Sequence, residues 1–168
     1  GLGSAAGVLA AGGTAAGWTS RGPGSAAQGG TARLPRVVVA VHADLSGAQK
    51  AVGRAQEHGV RLAVDQLNSR AGRGFDVALQ VHDDEGRAAR ARQIAGQLAA
   101  DDRIRAVLGP TVDACAKATL DLYQRARLPM VTVSVGLDEV SPVTYRVFAA
   151  TRPDDATLAS PLVAYLVR

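Results

Sequence analysis

Residues 37–42 read VVVAVH, and this stretch governs the interpretation of the whole chain. A continuous apolar run of this length predicts a strand that is buried on both faces, as in a parallel sheet. After it come Val60, Ala63, Val64 and Leu67, whose spacing of three and four residues marks one face of a helix. The two segments together predict the opening strand and helix of an α/β protein.

The same alternation of strand and helix continues along the chain. Further strands are predicted at residues 75–81, 106–108, 130–133 and 145–149. Two more helical stripes consist of Ala91, Ile94, Ala95 and Leu98, and of Cys115, Ala118, Thr119 and Leu122. Such alternation with short connections predicts a doubly wound parallel sheet with right-handed crossovers.

A last helix is predicted near the end of the chain. Either Asp154 or Asp155 caps it, because both precede an apolar helical stripe. Pro161 then either kinks the helix interior or restarts the helix with Ser160 as its cap.

The predicted topology also indicates where a ligand binds. In doubly wound sheets, ligands lie beyond the carboxyl ends of the strands, where the strand order reverses. The corresponding loops are residues 43–50, 83–87, 110–115 and 134–138. Loops that lead into helices point unpaired N–H groups at this place, which suits a small anion. Ser46 lies in the first loop and is interpreted either as a helix cap or as a ligand contact.

Composition limits the classes of partner. The formal net charge is +4 and the pI about 9.8, yet the arginines are scattered and aromatic residues make up only 4%. A nucleic-acid platform needs a basic cluster with interleaved aromatics, so we expect no nucleic-acid binding.

The N-terminal part differs in composition from the rest. Residues 1–18 (GLGSAAGVLAAGGTAAGW) are uncharged but hold too few large apolar side chains to span a bilayer. They are interpreted as the remnant of a signal peptide or membrane anchor, or as an Ala/Gly-rich leader. Residues 19–35 have the composition of a flexible linker, and residues 36–168 form the folded domain. Membrane contact is expected only through this N-terminal segment.

Two clusters raise the question of chemistry. Asp83, Asp84 and Glu85 could hold a divalent metal, but the ligand spacing of a known metal-binding motif is missing. The preferred interpretation is that these acidic residues open a helix and interact favourably with its dipole. His42 and Cys115 would form a nucleophilic pair only within hydrogen-bond reach, about 3 Å, and a lone cysteine on a helical stripe is more often a core residue. We therefore expect no catalytic residues, no metal, no cofactor and no enzymatic activity.

The order of several short motifs resembles the type I periplasmic binding proteins, in particular the leucine/isoleucine/valine receptors. The motifs are LSG at 45–47, GVRLAVDQLN at 59–68, VHDD at 81–84, AVLGP at 106–110, PMV at 129–131 and YRVF at 145–148. The resemblance covers essentially all of the folded segment. It implies a two-lobed α/β receptor, of which this chain is the N-terminal lobe and lacks the second.

The resemblance also implies a set of ligand-binding residues. By position they are Val52, Thr111, Val112, Asp113, Ser134, Val135 and Gly136, to which the predicted topology adds Ser46. Asp113 departs from the family, because a carboxylate-binding serine is usual there, and Gly136 replaces a common threonine. A carboxylate that faces a ligand carboxylate is unfavourable, so either Asp113 turns away and caps the third helix or the ligand is not a plain amino acid. Ser134 keeps a hydroxyl and is the best candidate for direct contact.

The implied function is extracytoplasmic capture of a small polar ligand, such as an amino acid, by hinged closure of two lobes. The implied partners are the ligand and an ABC transporter permease. The alternative is the extracellular ligand-sensing domain of a membrane-anchored receptor or kinase, with a fused signalling domain as partner. Since the chain ends at Arg168, about where this family crosses into its second lobe, we expect a fragment or a truncated gene product.

Overall fold

The structure is a computed structural model, and it describes residues 33–137, 140 and 144–167. The predicted leader or anchor (1–18), the linker up to residue 32 and the end of the 134–138 loop lie outside the described residues. Within the described part, no helix has both the length and the apolar character needed to cross a membrane.

In the described residues, five strands and four helices follow one another, and they alternate except that β5 comes directly after β4. The strands are β1 (Arg36–Ala43), β2 (Asp76–Asp83), β3 (Ile104–Leu108), β4 (Met130–Thr132) and β5 (Phe148–Ala150). The helices are α1 (Lys50–Ser69), α2 (Ala88–Ala100), α3 (Asp113–Ala126) and α4 (Asp155–Leu166). All strand pairs are parallel and the sheet order is β2-β1-β3-β4-β5, so the predicted doubly wound parallel α/β fold is confirmed.

The helices cover the two faces of the sheet. Along β1 and β3, successive side chains point to opposite faces: Ala40 and Val107 belong to the core with α2 and α3, whereas Val39 and Leu108 face α1. The four residues predicted for the α2 stripe are the buried residues of that helix. Asn68 ties the end of α1 to β2 by donating to and accepting from the backbone of Val77, both at 2.8 Å.

Two predicted elements differ from the structure. The fifth strand begins at Phe148 instead of residue 145, because residues 144–147 form a turn in which Phe148 N–H donates to the Tyr145 carbonyl. The α3 stripe is also shifted: Ala118 and Leu122 are half-buried, while Ala116, Leu120 and Tyr123 are buried with Cys115 and Thr119. Apolar residues on adjacent faces of this helix make both stripes compatible with helical spacing, and only the packing against the sheet selects one of them.

The last helix is capped by one of the two predicted residues. Asp154 accepts a hydrogen bond from the N–H of Thr157 at 2.6 Å, so Asp154 and not Asp155 is the cap. The helix runs through Pro161 without restarting at Ser160. Pro161 lacks an N–H, so one hydrogen bond of the helix ladder is absent there.

Candidate functional site

The strand order reverses between β1 and β3, because the chain moves from β1 outward to β2 and then returns to the other side of β1. The loops at the carboxyl ends of β1 and β3 therefore flank the place where this class of sheet binds ligands. The loop after β4 lies next to them, since β4 pairs with β3. These three loops carry every predicted ligand-binding residue except Val52, in the first turn of α1, and Asp113, the first residue of α3.

Asp44 organises the loop after β1. Its side chain is buried and its two carboxylate oxygens accept the backbone N–H groups of Gly47, at 2.5 Å, and of Gln49, at 2.8 Å. Its own N–H donates to the hydroxyl of Thr111 at 3.0 Å, which joins this loop to the loop after β3. Asp44 was not predicted as a site residue. The sequence pattern that could have identified it is an aspartate three residues before a glycine, which is typical of a turn.

Ser46 has a different role from the predicted cap. The helix α1 begins at Lys50 with Gln49 as its cap residue, and no side chain caps it. The exposed Ser46 hydroxyl instead bonds to the carboxylate of Asp83 at the end of β2. The capping interpretation of Ser46 is therefore wrong, because the N–H groups before α1 are held by Asp44.

Close backbone contacts lock the first two loops together. A Cβ atom on Gly47 would overlap the carbonyl oxygen of Glu85, and one on Gly86 would lie 2.8 Å from the Asp44 carboxylate. Both positions consequently exclude any larger residue without a shift of the neighbouring loop. The two loops form one rigid wall of the site.

The acidic residues Asp83, which ends β2, and Asp84 and Glu85, which follow it, do not open a helix. Since α2 begins at Ala88, none of the three lies in its first turn, and the interpretation that they stabilise the helix dipole is wrong. Asp83 accepts the N–H groups of Leu45 and Glu85, each at 2.9 Å. Partial burial acts to raise the pKa of Asp83, but hydrogen bonds from Ser46, Leu45 and Glu85 outweigh it and lower the pKa below its ordinary value.

A buried polar network lies directly beneath these loops. The His42 ring places Nδ1 2.9 Å from the Tyr123 hydroxyl and Nε2 3.1 Å from the Asp84 carboxylate, and all three side chains are inaccessible to solvent. The contact between His42 and Asp84 has the distance of an ion pair but not the angles of a hydrogen bond. Asp84 also accepts the N–H of Gly86 at 2.8 Å. The network thus links β1, the loop after β2 and α3.

Cys115 belongs to the same network and is not an activated nucleophile. Burial, followed by the negative charge of Asp84 and a hydrogen bond to it, raises the pKa of the Cys115 thiol to about 12. The thiol stays protonated at neutral pH, whereas a nucleophilic cysteine needs a lowered pKa. The His42 ring places Nδ1 at the Tyr123 hydroxyl and Nε2 beside the Asp84 carboxylate, so neither ring nitrogen is directed at Cys115. Among the described residues, no group of three or more His, Cys, Asp or Glu side chains could hold a metal ion.

The loop after β3 approaches β1 so closely that it requires glycine. Gly109 has a φ of +114°, and a Cβ there would overlap the carbonyl oxygen of His42. Thr111 follows, nearly buried, with its hydroxyl on Asp44 and its carbonyl accepting the Ser134 hydroxyl at 2.9 Å. Val112 is the cap residue of α3. The loop after β3 is therefore hydrogen-bonded to the loop after β1 and to the loop after β4 before α3 begins.

Asp113 is the first residue of α3 and does not cap it. No side-chain cap is present at Val112, and the Asp113 carboxylate accepts the N–H of Gly136 at 3.3 Å. The capping interpretation of Asp113 is therefore wrong, although an acidic group in the first turn remains favourable for the helix dipole. The carboxylate is exposed and adds a negative charge to the mouth of the site.

The loop after β4 is fixed by residues that sequence reasoning missed. Arg152 donates to the Ser134 carbonyl at 2.8 Å and pairs with Asp155, whose carboxylate would touch a Cβ on Gly136. Val135 is 1% exposed and belongs to the core, so its side chain is not available to a ligand. The sequence did not identify Arg152 as a site residue, because residue 152 is distant from residue 134 and no periodic pattern links the two positions.

The structure brings the predicted residues together in two groups. Thr111, Asp113, Ser134 and Gly136 are joined by direct hydrogen bonds between the loops after β3 and β4. Ser46 lies on the wall formed with the loop after β2. Val52 is 42% exposed and lines an apolar groove whose lining also includes Ser134. The ligand contacts assigned to these residues stay predictions.

Comparison with known proteins places this arrangement in a family. A family model described as "Periplasmic binding protein" matches residues 36–168. No curated protein matches the sequence significantly.

Solved structures share the fold. The branched-chain amino acid transporter substrate binding protein LivJ from Streptococcus pneumoniae, in complex with isoleucine, is 22% identical with a TM-score of 0.67, over 72% of this chain and 35% of that one. An ABC transporter substrate-binding protein from Desulfitobacterium hafniense, in complex with Leu, is 23% identical with a TM-score of 0.67, over 78% and 38%. An ABC transporter substrate-binding protein from Sphaerobacter thermophilus is 26% identical with a TM-score of 0.67, over 79% and 36%.

The chain thus spans little more than a third of the length of these structures. The family model agrees with two features of the structure, the parallel sheet and the position of the candidate site loops where the strand order reverses. The predicted resemblance is confirmed, and this chain belongs to the periplasmic binding protein family, whose fold binds solutes.

Proposed function

We propose that the chain is the ligand-holding lobe of an extracytoplasmic receptor that captures a small polar solute, without transforming it, for an ABC-type importer. The observation that carries the proposal is the hydrogen-bonded convergence of the loops after β1, β3 and β4 at the start of α3. Solved structures of similar fold hold isoleucine and leucine, so an amino acid or a similar compound is the proposed ligand.

Rigidity of the loops supports capture. Each of the three loops is tied to another by a hydrogen bond between loops: Asp44 to Thr111, Thr111 to Ser134, and Asp113 to Gly136. Loops held in place lose little conformational entropy when a ligand binds, which favours affinity. A second lobe would close over this preformed surface, because one lobe alone leaves a ligand exposed on one side.

The charges at the mouth of the site restrict the ligand. The start of α3 offers backbone N–H groups and a partial positive charge to an anion. The exposed carboxylates of Asp113 and Asp155 oppose an anion at the same mouth, and Arg152 is already engaged with Asp155 and Ser134. We therefore propose a ligand that carries a cationic or hydrogen-donating group beside its anionic one, as a zwitterionic amino acid does.

Replacement of Ser134 tests the site. In Ser134→Ala, the Thr111 carbonyl loses its donor and the loops after β3 and β4 are no longer joined by that hydroxyl. We expect affinity for the bound amino acid to fall about tenfold, the effect of roughly one good hydrogen bond. The measurement is the thermal shift of the full-length gene product with a panel of amino acids that includes leucine and isoleucine.

Ser69→Ala is the matched control. The Ser69 hydroxyl also donates to a backbone carbonyl, that of Gln66 at 2.9 Å, but at the end of α1 and not in a site loop. This variant should keep the wild-type shift. A full-length protein that responds to no member of the panel, or a Ser134→Ala variant that responds as wild type does, would contradict the proposal.

A further inference from the structure

The edge of the sheet opposite the candidate site is basic. Because the strands are parallel, the segments that precede β1, β2, β3 and β4 lie together at the amino-terminal edge of the sheet. Strand β1 has 8 residues and is about 26 Å long, so this edge is well separated from the site loops. Three adjoining hollows follow the edge, and six arginines but only three aspartates line them. We call this surface the basic edge, and its arginines are Arg33, Arg36, Arg73, Arg103, Arg105 and Arg127.

A net positive charge remains on the basic edge after its ion pairs are formed. Nε of Arg73 pairs with the Asp76 carboxylate at 2.6 Å, and Nη2 of Arg103 pairs with the Asp101 carboxylate at 2.7 Å. The other four arginines are exposed and form no ion pair within the part of the chain that the structure describes. The third aspartate, Asp102, is exposed as well and offsets one of these four charges. The arginines come from separate segments of the sequence, and only the folded sheet brings them together.

An exposed aromatic side chain accompanies the arginines. Phe75 directly precedes β2, two residues after Arg73, and is 43% exposed. Basic residues that attract lipid phosphates, next to an aromatic ring at the level of the headgroups, are typical of a surface that lies on a membrane. A single-stranded nucleic acid would instead need several aromatic rings for successive bases, and Phe75 is the one exposed aromatic residue of this edge among those described. The combination favours a lipid bilayer.

The N-terminal segment joins the folded domain at the same edge. Arg33 lines the same hollow as Arg73, and the Pro35 carbonyl accepts the N–H of Asp76 at 2.9 Å. Residues 1–18, interpreted from the sequence as the remnant of a signal peptide or membrane anchor or as a leader, are therefore connected to the domain on this side. A membrane attachment through that segment would bring the basic edge, and not the candidate site, next to the bilayer.

We infer that the basic edge docks on a membrane that carries anionic lipids. Each arginine near such a surface strengthens binding about fivefold, and stable attachment of a weakly anchored protein requires a second contact of this kind. The opposite edge carries the exposed carboxylates of Asp113 and Asp155, which an anionic bilayer repels. Both edges thus favour an orientation in which the candidate site is turned away from the membrane. This surface goes beyond the proposed function and does not depend on it, and it extends the predicted membrane contact from the N-terminal segment to the folded domain.

Charge reversal at the basic edge tests the docking. The 168-residue chain is titrated with vesicles of phosphatidylcholine, either pure or with about one third phosphatidylglycerol. Wild type should bind the anionic vesicles at least about tenfold more tightly than the neutral ones. Arg36→Glu and Arg105→Glu should each weaken binding to the anionic vesicles at least about tenfold, because each replaces an attracted charge by a repelled one. In about 1 M salt, where the Debye length is about 3 Å, wild type and these variants should bind alike.

Two control variants separate the basic edge from net charge and from folding. Arg87→Glu changes the net charge by the same amount in the loop after β2, at the opposite edge, where the Arg87 side chain is 69% exposed. This variant should bind the anionic vesicles as wild type does. Arg36→Lys keeps the positive charge at the basic edge and should also bind as wild type does, whereas an effect of Arg36→Glu through misfolding would not depend on the salt concentration.

Removal of the aromatic ring tests the contact with the bilayer itself. Phe75→Ala should weaken binding to the anionic vesicles about fivefold, because less apolar surface is buried in the bilayer. Val133→Ala is the matched control, since Val133 is 48% exposed but directly follows β4 at the opposite edge. A Phe75→Ala variant that binds as tightly as Val133→Ala would show that the ring stays outside the bilayer and would contradict this contact.

Three results would overturn the inference. One is wild-type binding that is equal for anionic and neutral vesicles. Another is an Arg87→Glu variant that loses as much affinity as Arg36→Glu, since net charge and not the basic edge would then govern binding. The third is a loss of binding by Arg36→Glu and Arg105→Glu to a DNA duplex or to polyglutamate without any loss to vesicles, which would assign the basic edge to another polyanion.

Discussion

The two faces of the sheet are covered to different degrees. On one face, α2 and α3 bury Ile94, Leu98, Leu120 and Tyr123 against the strands, and the polar network of His42 extends this packing to the site loops. On the other face, α1 has one buried residue, Gly53, and leaves a groove beside it. The comparison indicates that the α2 and α3 face contributes more to the stability of the fold than the α1 face does.

Leucine-to-alanine replacements on the two faces should show the largest difference. Leu98 on α2 is 2% exposed, so Leu98→Ala should lower the free energy of unfolding by about 3 kcal/mol. Leu67 on α1 borders the groove and is half-buried, so Leu67→Ala should cost about 1 kcal/mol. Urea unfolding of both variants measures the difference, and equal costs would show that the α1 face is as well packed as the other.

Glycine-to-alanine replacements sharpen the same comparison. At Gly109, positive φ and the nearby His42 carbonyl leave no room for a methyl group, so Gly109→Ala should cost about 3 kcal/mol. At Gly59 on α1, an added Cβ would meet nothing within 4 Å. Gly59→Ala should therefore raise the free energy of unfolding by about 0.5–1 kcal/mol through better helix propensity. A destabilised Gly59→Ala variant in urea unfolding would contradict an open groove.

The smallest expected effect is a pH dependence on the packed face. Burial, and then the charge of the neighbouring His42, lower the pKa of His82 below its ordinary value of 6.5. The unfolded chain takes up a proton near that value, whereas the folded chain takes it up only at lower pH. The contribution of His82 to the free energy of unfolding is therefore fully present above the pKa that His82 has in the unfolded chain. It decreases as the pH falls below that value.

The variant His82→Gln should lose this dependence. The midpoint of thermal unfolding should then change less than in wild type between about pH 7 and about pH 5. His58→Gln serves as the control, because His58 is exposed on α1. A wild-type slope that persists in His82→Gln would assign the pH dependence to other groups.

The periodic spacing of apolar residues was sufficient to predict the architecture. The apolar run at residues 37–42 lies within β1, and the α2 stripe of Ala91, Ile94, Ala95 and Leu98 is buried as predicted. Burial imposes these patterns residue by residue, so they are readable without knowledge of neighbours. The topology that follows from them also located the loops of the candidate site.

Hydrogen bonds between loops could not be predicted in the same way. Ser46 and Asp113 were interpreted as caps because capping is a local rule, but both side chains bond to other loops. Asp44 and Arg152 were missed because their partners, Thr111 and Ser134, are distant in the sequence. Only their positions in the folded sheet bring these groups within reach of one another.

The sequence by itself determined the strand and helix order, the parallel sheet and the edge of the sheet at which the loops of the candidate site lie, because each depends on local spacing of apolar side chains. The tertiary structure alone decided which polar groups hold the site loops, how His42, Asp84 and Cys115 share one buried network, and which face of the sheet is left open. These features depend on distances between elements, which no local pattern encodes.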